Sequence, residues 1–147
     1  FTTAILFNSL KQPLAIIFVI PISYIGVFLT FYLFGLNFDQ GGFASFVLLC
    51  GITVNASIYI QNEYNAIRKR YPLLLPVRAF TKAWNSKILP IFLTVVSTIL
   101  GFIPFMVGDG KEAFWFPLAA GTIGGLVMSI LGIFLFLPIF SLKKQKR

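Results

Sequence analysis

The sequence predicts an all-α integral membrane fold: a bundle of four full transmembrane helices plus the end of a fifth, with an interfacial amphipathic helix in the inner loop. Composition is the first observation behind this. Of the 147 residues, 58% are hydrophobic and 11% charged, a balance foreign to a water-soluble domain. The second is length. The apolar residues fall into runs close to or above the roughly 18–20 residues that cross about 30 Å of hydrocarbon as a helix. Alternation with a period of two, the mark of a membrane barrel, is absent. Helices are then the solution that satisfies the backbone without water.

Residues 1–10 read as the tail of a preceding span, and residues 14–34 as the first full one. A turn over 35–42, carrying Asp39, leads to the second span, 43–60. The third, 88–107, and the fourth, 116–140, flank a turn at 108–113 with Asp109, Lys111 and Glu112. Between the second and third lies a long loop, 61–87, in which YPLLLPVRAFTKAW alternates apolar residues with Arg78 and Lys82 and ends at Trp84. That pattern predicts an amphipathic helix lying on the membrane surface. Pro72 and Pro76 stand before it or at its start, where proline does least damage. Pro21, Pro90, Pro104 and Pro138 lie within or near the ends of spans, where each frees a carbonyl and favours a kink.

Charge sets the topology. The net charge is +8, yet six of the twelve basic residues crowd into 68–87 and four close the chain as KKQKR. Basic residues between apolar spans report orientation rather than nucleic-acid binding, so the 61–87 loop, the C-terminus and Lys11 are expected in the cytoplasm and the two acidic turns outside. Cys50 is the single cysteine and there is no histidine. A disulfide within the chain and the usual metal ligands are therefore lacking, and no metal site or cofactor is expected. With no intramembrane carboxylate pair and no G-x-S-x-G elbow, an intramembrane enzyme is disfavoured as well. The opening at Phe1, without a methionine or a signal-peptide pattern, reads as a piece of a longer polypeptide.

Polar residues within the spans carry the functional signal, because such groups in lipid are paired or functional. In CGITVNASIYIQNEY, a 3.6-residue period draws Thr53, Asn55, Tyr59 and Asn62 toward one side. Asn55, with donors and acceptors on one neutral amide, fits either of two roles: gluing helices together or joining a relay through water. In the third span Thr94 and Thr98 stand one turn apart beside Ser97, either as relay groups or as hydroxyls bonded back to their own helix. Asn55 and Thr94 are expected within hydrogen-bond or single-water reach of each other. Gly121, Gly125 and Ser129 recur every four residues, flanked by Gly124 and Gly132, a face that lets a neighbouring backbone approach closely.

Taken in order, IPISYIGVFLTFYLFGLNFDQGGFASFVLLCGITVNASIYIQNEY, the basic loop, KILPIFLTVVSTILGFIPFMVGDG and PLAAGTIGGLVMSILGIFLFLPIF resemble the C-terminal membrane region of resistance-nodulation-division (RND) efflux permeases of the acriflavine-resistance type. The likeness covers essentially the whole chain. It implies that residues 1–10 end the eighth of twelve helices and that residues 11–147 hold the ninth to twelfth. It also implies a secondary transporter of the bacterial inner membrane, multi-pass with a cytoplasmic C-terminus, in which proton flow through the bundle drives substrate export. The implied partners are the remainder of the same permease, with its acidic relay residues and periplasmic domains, further copies in a homotrimer, a periplasmic adaptor, an outer-membrane channel and the lipid bilayer.

By the same resemblance Asn55 falls where many members carry a lysine paired with two aspartates, Thr94 on the relay threonine, and Lys87 on a basic residue at the cytoplasmic entrance. Tyr59 and Thr98 join them as relay candidates. The amide at Asn55 departs from the lysine pattern, and Ala56 departs from the usual Asn-Ala pair. An amide rearranges hydrogen bonds but carries no charge, so charge compensation must come from elsewhere or from the protons themselves. Glu63 is expected as an interfacial partner for the basic loop. Without intramembrane acids or large outer domains, the chain alone is expected to be transport-incompetent. The alternative is a membrane anchor whose basic loop and tail bind anionic lipid or a protein partner.

Overall fold

The computed structural model describes residues 11–107 and 114–141. Four helices follow one another: α1 (Lys11–Phe34), α2 (Gln40–Arg70), α3 (Pro76–Met106) and α4 (Trp115–Ser141). There is no strand among the described residues. All four are long and apolar enough to cross a membrane. The expected end of a fifth span, the turn with Asp109, Lys111 and Glu112, and the KKQKR tail lie outside the described residues.

Each helix end has a local cause. Gly35 closes α1 at φ +59°, and Leu36 then donates to the Phe31 carbonyl at 2.9 Å; glycine suits this left-handed residue because it carries no Cβ. Asp39 caps α2, its carboxylate accepting from the backbone of Gly41 at 3.0 Å and Gly42 at 3.3 Å. Arg68, Lys69 and Arg70 fill the last turn of α2, where cations complement the helix dipole. Pro76 opens α3 at its first position, where its missing N–H is harmless.

The 61–87 segment differs from the expected loop. Neither glycine nor proline interrupts residues 61–70 or 77–89, so both flanking helices run on and only residues 71–75 turn. The amphipathic helix is present as the first part of α3, continuous with the third span rather than a separate surface element. At 1.5 Å per residue the two 31-residue helices are about 46 Å long, well beyond the hydrocarbon thickness, so their joined end projects from it. Arg68 fastens the turn by donating to the Leu74 carbonyl at 2.6 Å.

α4 is the hub. It packs against all three other helices, as α2 does, and most closely against α1, whereas the backbones of α1 and α3 do not approach each other. Its glycines explain two of its contacts, with α1 and α2. Gly124 lies against Thr30 and the Gly26 carbonyl of α1, Gly132 against Ile22 and Val19, and on another face Gly121 and Gly125 meet Ser45 and Leu49 of α2. Close backbone approach, giving dispersion contact between small residues, is what holds helices together where lipid removes the hydrophobic drive. Thus the small-residue face serves two neighbours. By contrast α3 is peripheral: 11% of its most apolar window is buried, against 39% for α1 and α4.

Candidate functional site

α2 and α3 run antiparallel, joined by the short 71–75 turn, and one ion pair bridges them. Lys87 Nζ lies 3.3 Å from Glu63 Oε2, which gives Glu63 the basic partner expected for it. Four residues back along α2 stands Tyr59, and another turn on, Asn55; stepping the same distance forward along α3 reaches Ile91 and then Thr94 and Val95. Asn55 and Thr94 therefore sit at the same depth.

Between α2, α3 and α4 lies a groove of about 360 Å³ whose lining includes Asn55, Tyr59, Lys87, Pro90, Thr94 and Ser129. Four of the five relay candidates thus meet on one surface, with Ser129 from the small-residue face at its back. Thr98 is not among the lining residues. Its hydroxyl donates to the Thr94 carbonyl at 2.8 Å, and that of Thr94 to the Pro90 carbonyl at 2.9 Å. Both threonines are bonded back to their helix, and no hydrogen bond joins Thr94 to Asn55. The groove has room for several waters, each taking about 30 Å³ of liquid volume. Asn55, the central residue of α2, is exposed and makes no hydrogen bond to another described residue.

Thr53 departs from the expected stripe. It is fully buried, whereas Tyr59 is 62% exposed, because residues 53 and 55 differ by about 200° around a helix. Thr53 belongs instead to a second polar row, Thr53, Ser57 and Gln61, all fully buried. The Thr53 and Ser57 hydroxyls and both amide atoms of Gln61 have no hydrogen-bond partner. The row ends at Asn65, which exchanges two 2.8 Å hydrogen bonds with Gln12 of α1. Sequence reasoning missed Ser57, Gln61 and the Gln12–Asn65 pair, although their four-residue spacing on α2 was there to be read.

An unpaired buried amide costs about 1–3 kcal/mol relative to an apolar group of the same shape. Gln61→Met is accordingly expected to raise the melting temperature of the purified protein. A fall would mean that the amide has a partner.

Comparison with known proteins supports the family resemblance. A family model described as the AcrB/AcrD/AcrF family matches residues 1–143. The chain is 29% identical over 137 residues to the swarming motility protein SwrC of Bacillus subtilis, covering 92% of this chain and 13% of that protein. To the multidrug resistance protein MdtC of Escherichia coli (strain HS) it is 31% identical over 127 residues, covering 85% of this chain and 12% of that one. MdtC of Shigella sonnei is similar to the same extent, 31% over 127 residues. The chain therefore spans about an eighth of the length of these relatives. Matched by the family over nearly all its length and built of four membrane-length helices, this chain belongs to the AcrB/AcrD/AcrF family of RND permeases.

Proposed function

We propose that residues 11–147 are the last four transmembrane helices of a proton-driven RND efflux permease of the bacterial inner membrane, with residues 1–10 ending the preceding span. The joined end of α2 and α3 and the C-terminus face the cytoplasm, as the basic residues there require. The single observation that carries the reading is Asn55: a polar amide at the midpoint of an apolar helix, exposed on a groove and without a hydrogen-bond partner among the described residues. Such a group in hydrocarbon is costly unless other protein or water covers it. Further helices of the same permease, bearing acidic groups that the groove lining lacks, fit over that face.

The groove residues then divide the work. Lys87, held by Glu63, is a fixed cation at the cytoplasmic mouth. Thr94 spends its proton on the Pro90 carbonyl, which orients its lone pairs as acceptors for water. Asn55 offers donors and acceptors together and switches hydrogen bonds as nearby carboxylates gain and lose protons. Since it has no charge, the protons themselves balance those carboxylates. A homotrimer working with a periplasmic adaptor and an outer-membrane channel is part of the same proposal, and the chain alone is transport-incompetent.

The test is dye efflux by cells producing the full-length permease. Asn55→Leu at matched membrane levels is expected to lose tenfold or more of the protonophore-sensitive efflux, because leucine can neither donate nor accept a hydrogen bond on the groove. Val47→Ala, at a 77% exposed position on the same helix, is expected to retain it. Equal efflux in wild type and Asn55→Leu would remove the amide from the relay.

A further inference from the structure

We propose that the cavity where the end of α2 meets the start of α3 is a binding site for the phosphate of an anionic phospholipid from the adjoining leaflet. This inference stands apart from the transport reading. The cavity, about 290 Å³, is lined by residues that include Glu63, Arg70, Tyr71, Lys82 and Ser86.

Its charges do not balance. Glu63 is the only acid in the lining, and it is engaged by Lys87 at 3.3 Å. Arg68 is engaged too, by the Leu74 carbonyl. That leaves Arg70 and Lys82, neither of which has a carboxylate partner among the described residues. Lys82 Nζ instead lies 4.5 Å from the centre of the Tyr71 ring, a contact that leaves N–H donors on its far side for an anion. Two cations facing one cavity repel each other, and an anion between them turns that repulsion into two attractions. A phosphate diester matches the set: a guanidinium fork for two of its oxygens, an ammonium for charge, and the Ser86 hydroxyl as a further donor.

A lipid, rather than free phosphate, follows from what surrounds the cavity. The adjoining turn and the first residues of α3 present Leu73, Val77 and Leu75 at 97%, 64% and 55% exposure. Exposed leucines beside uncompensated cations, at the end of helices longer than the hydrocarbon is thick, place a headgroup site with an apolar rim for acyl chains. Each basic residue near an anionic surface raises binding to it by roughly fivefold. Two of them predict a preference for anionic over zwitterionic lipid on the order of tenfold or more.

Native mass spectrometry of the full-length permease in detergent, offered phosphatidylglycerol and phosphatidylcholine in equal amounts, reads that preference directly. Wild type is expected to retain phosphatidylglycerol by that margin. Arg70→Gln with Lys82→Gln is expected to bring the ratio near unity, and each single variant, which disturbs the fold less, to lower it part of the way. Lys69→Gln with Arg78→Gln removes the same charge outside the cavity and is expected to leave the ratio largely intact. Inorganic phosphate at physiological level is expected not to displace the lipid. Equal retention of the two lipids, an equal loss in both double variants, or displacement by phosphate would each overturn the lipid site, the last pointing to a free phosphate ligand.

Discussion

Replacing Gly124 by valine is expected to drive α1 off α4 and to cause a large loss of stability in the bundle. A Cβ at this position falls on the Thr30 hydroxyl, and it comes within 2.8 Å of Thr30 Cβ and 3.0 Å of the Gly26 carbonyl oxygen. Thr30 cannot easily swing away, because its hydroxyl donates to that same Gly26 carbonyl at 2.8 Å and its β-branched side chain has few rotamers. Relief must come from the backbone, along the most extensive helix pair among the described residues. Overpacking of this kind costs about 1–3 kcal/mol and more when backbone must move, which a melting curve of the purified protein resolves. Gly101→Ala is the control. A Cβ there meets nothing within 4 Å, so the substitution is expected to be neutral or to stabilise by about 0.5–1 kcal/mol through helix propensity. Equal melting of Gly124→Val and wild type would contradict the packing described.

The second large effect is expected at the Gln12–Asn65 pair. Two 2.8 Å hydrogen bonds run in opposite directions between the amides, so each side chain satisfies the other at the junction of α1 and α2. Gln12 is 8% exposed. Asn65→Leu leaves its amide buried and unpaired, a loss of about 1–3 kcal/mol. Replacing both residues with leucine removes the orphan as well as the bonds, and much of the stability is expected to return. A double-mutant cycle in melting temperature checks this; a double variant as unstable as the sum of the singles would show that the two amides act independently.

The fold was legible because hydrocarbon simplifies it. Long apolar runs determine helices almost without reference to detail, and four helices long and apolar enough to cross a membrane follow one another. Helix ends were harder. An uninterrupted run such as 61–70 has no stop signal, so α2 continues until the basic turn before Tyr71, beyond the apolar limit used to place the span. For the groove, helical spacing put Asn55 and Tyr59 on one face of α2, while Lys87 and Thr94 were singled out through the family resemblance; all four line it. Thr53 and Thr98 show the limit: polarity in a window does not say which face turns inward, and a threonine hydroxyl that bonds its own helix looks the same in sequence as one aimed at a neighbour. Gln61 shares the four-residue period of Thr53 and Ser57, but past the end of an apolar run a glutamine reads as interfacial, and only packing against neighbouring helices buries it.

The central claim is that polar groups on the groove, rather than hydroxyls in the bundle at large, serve proton-coupled transport. Thr94→Val and Thr122→Val test it most directly, because both remove a hydroxyl of the same shape that donates to the carbonyl four residues back, at 2.9 Å and 2.7 Å. Only Thr94 lines the groove. Protonophore-sensitive efflux by the full-length permease at matched membrane levels is expected to collapse in Thr94→Val and to persist in Thr122→Val. Retained efflux in Thr94→Val, or an equal loss in both, would contradict it.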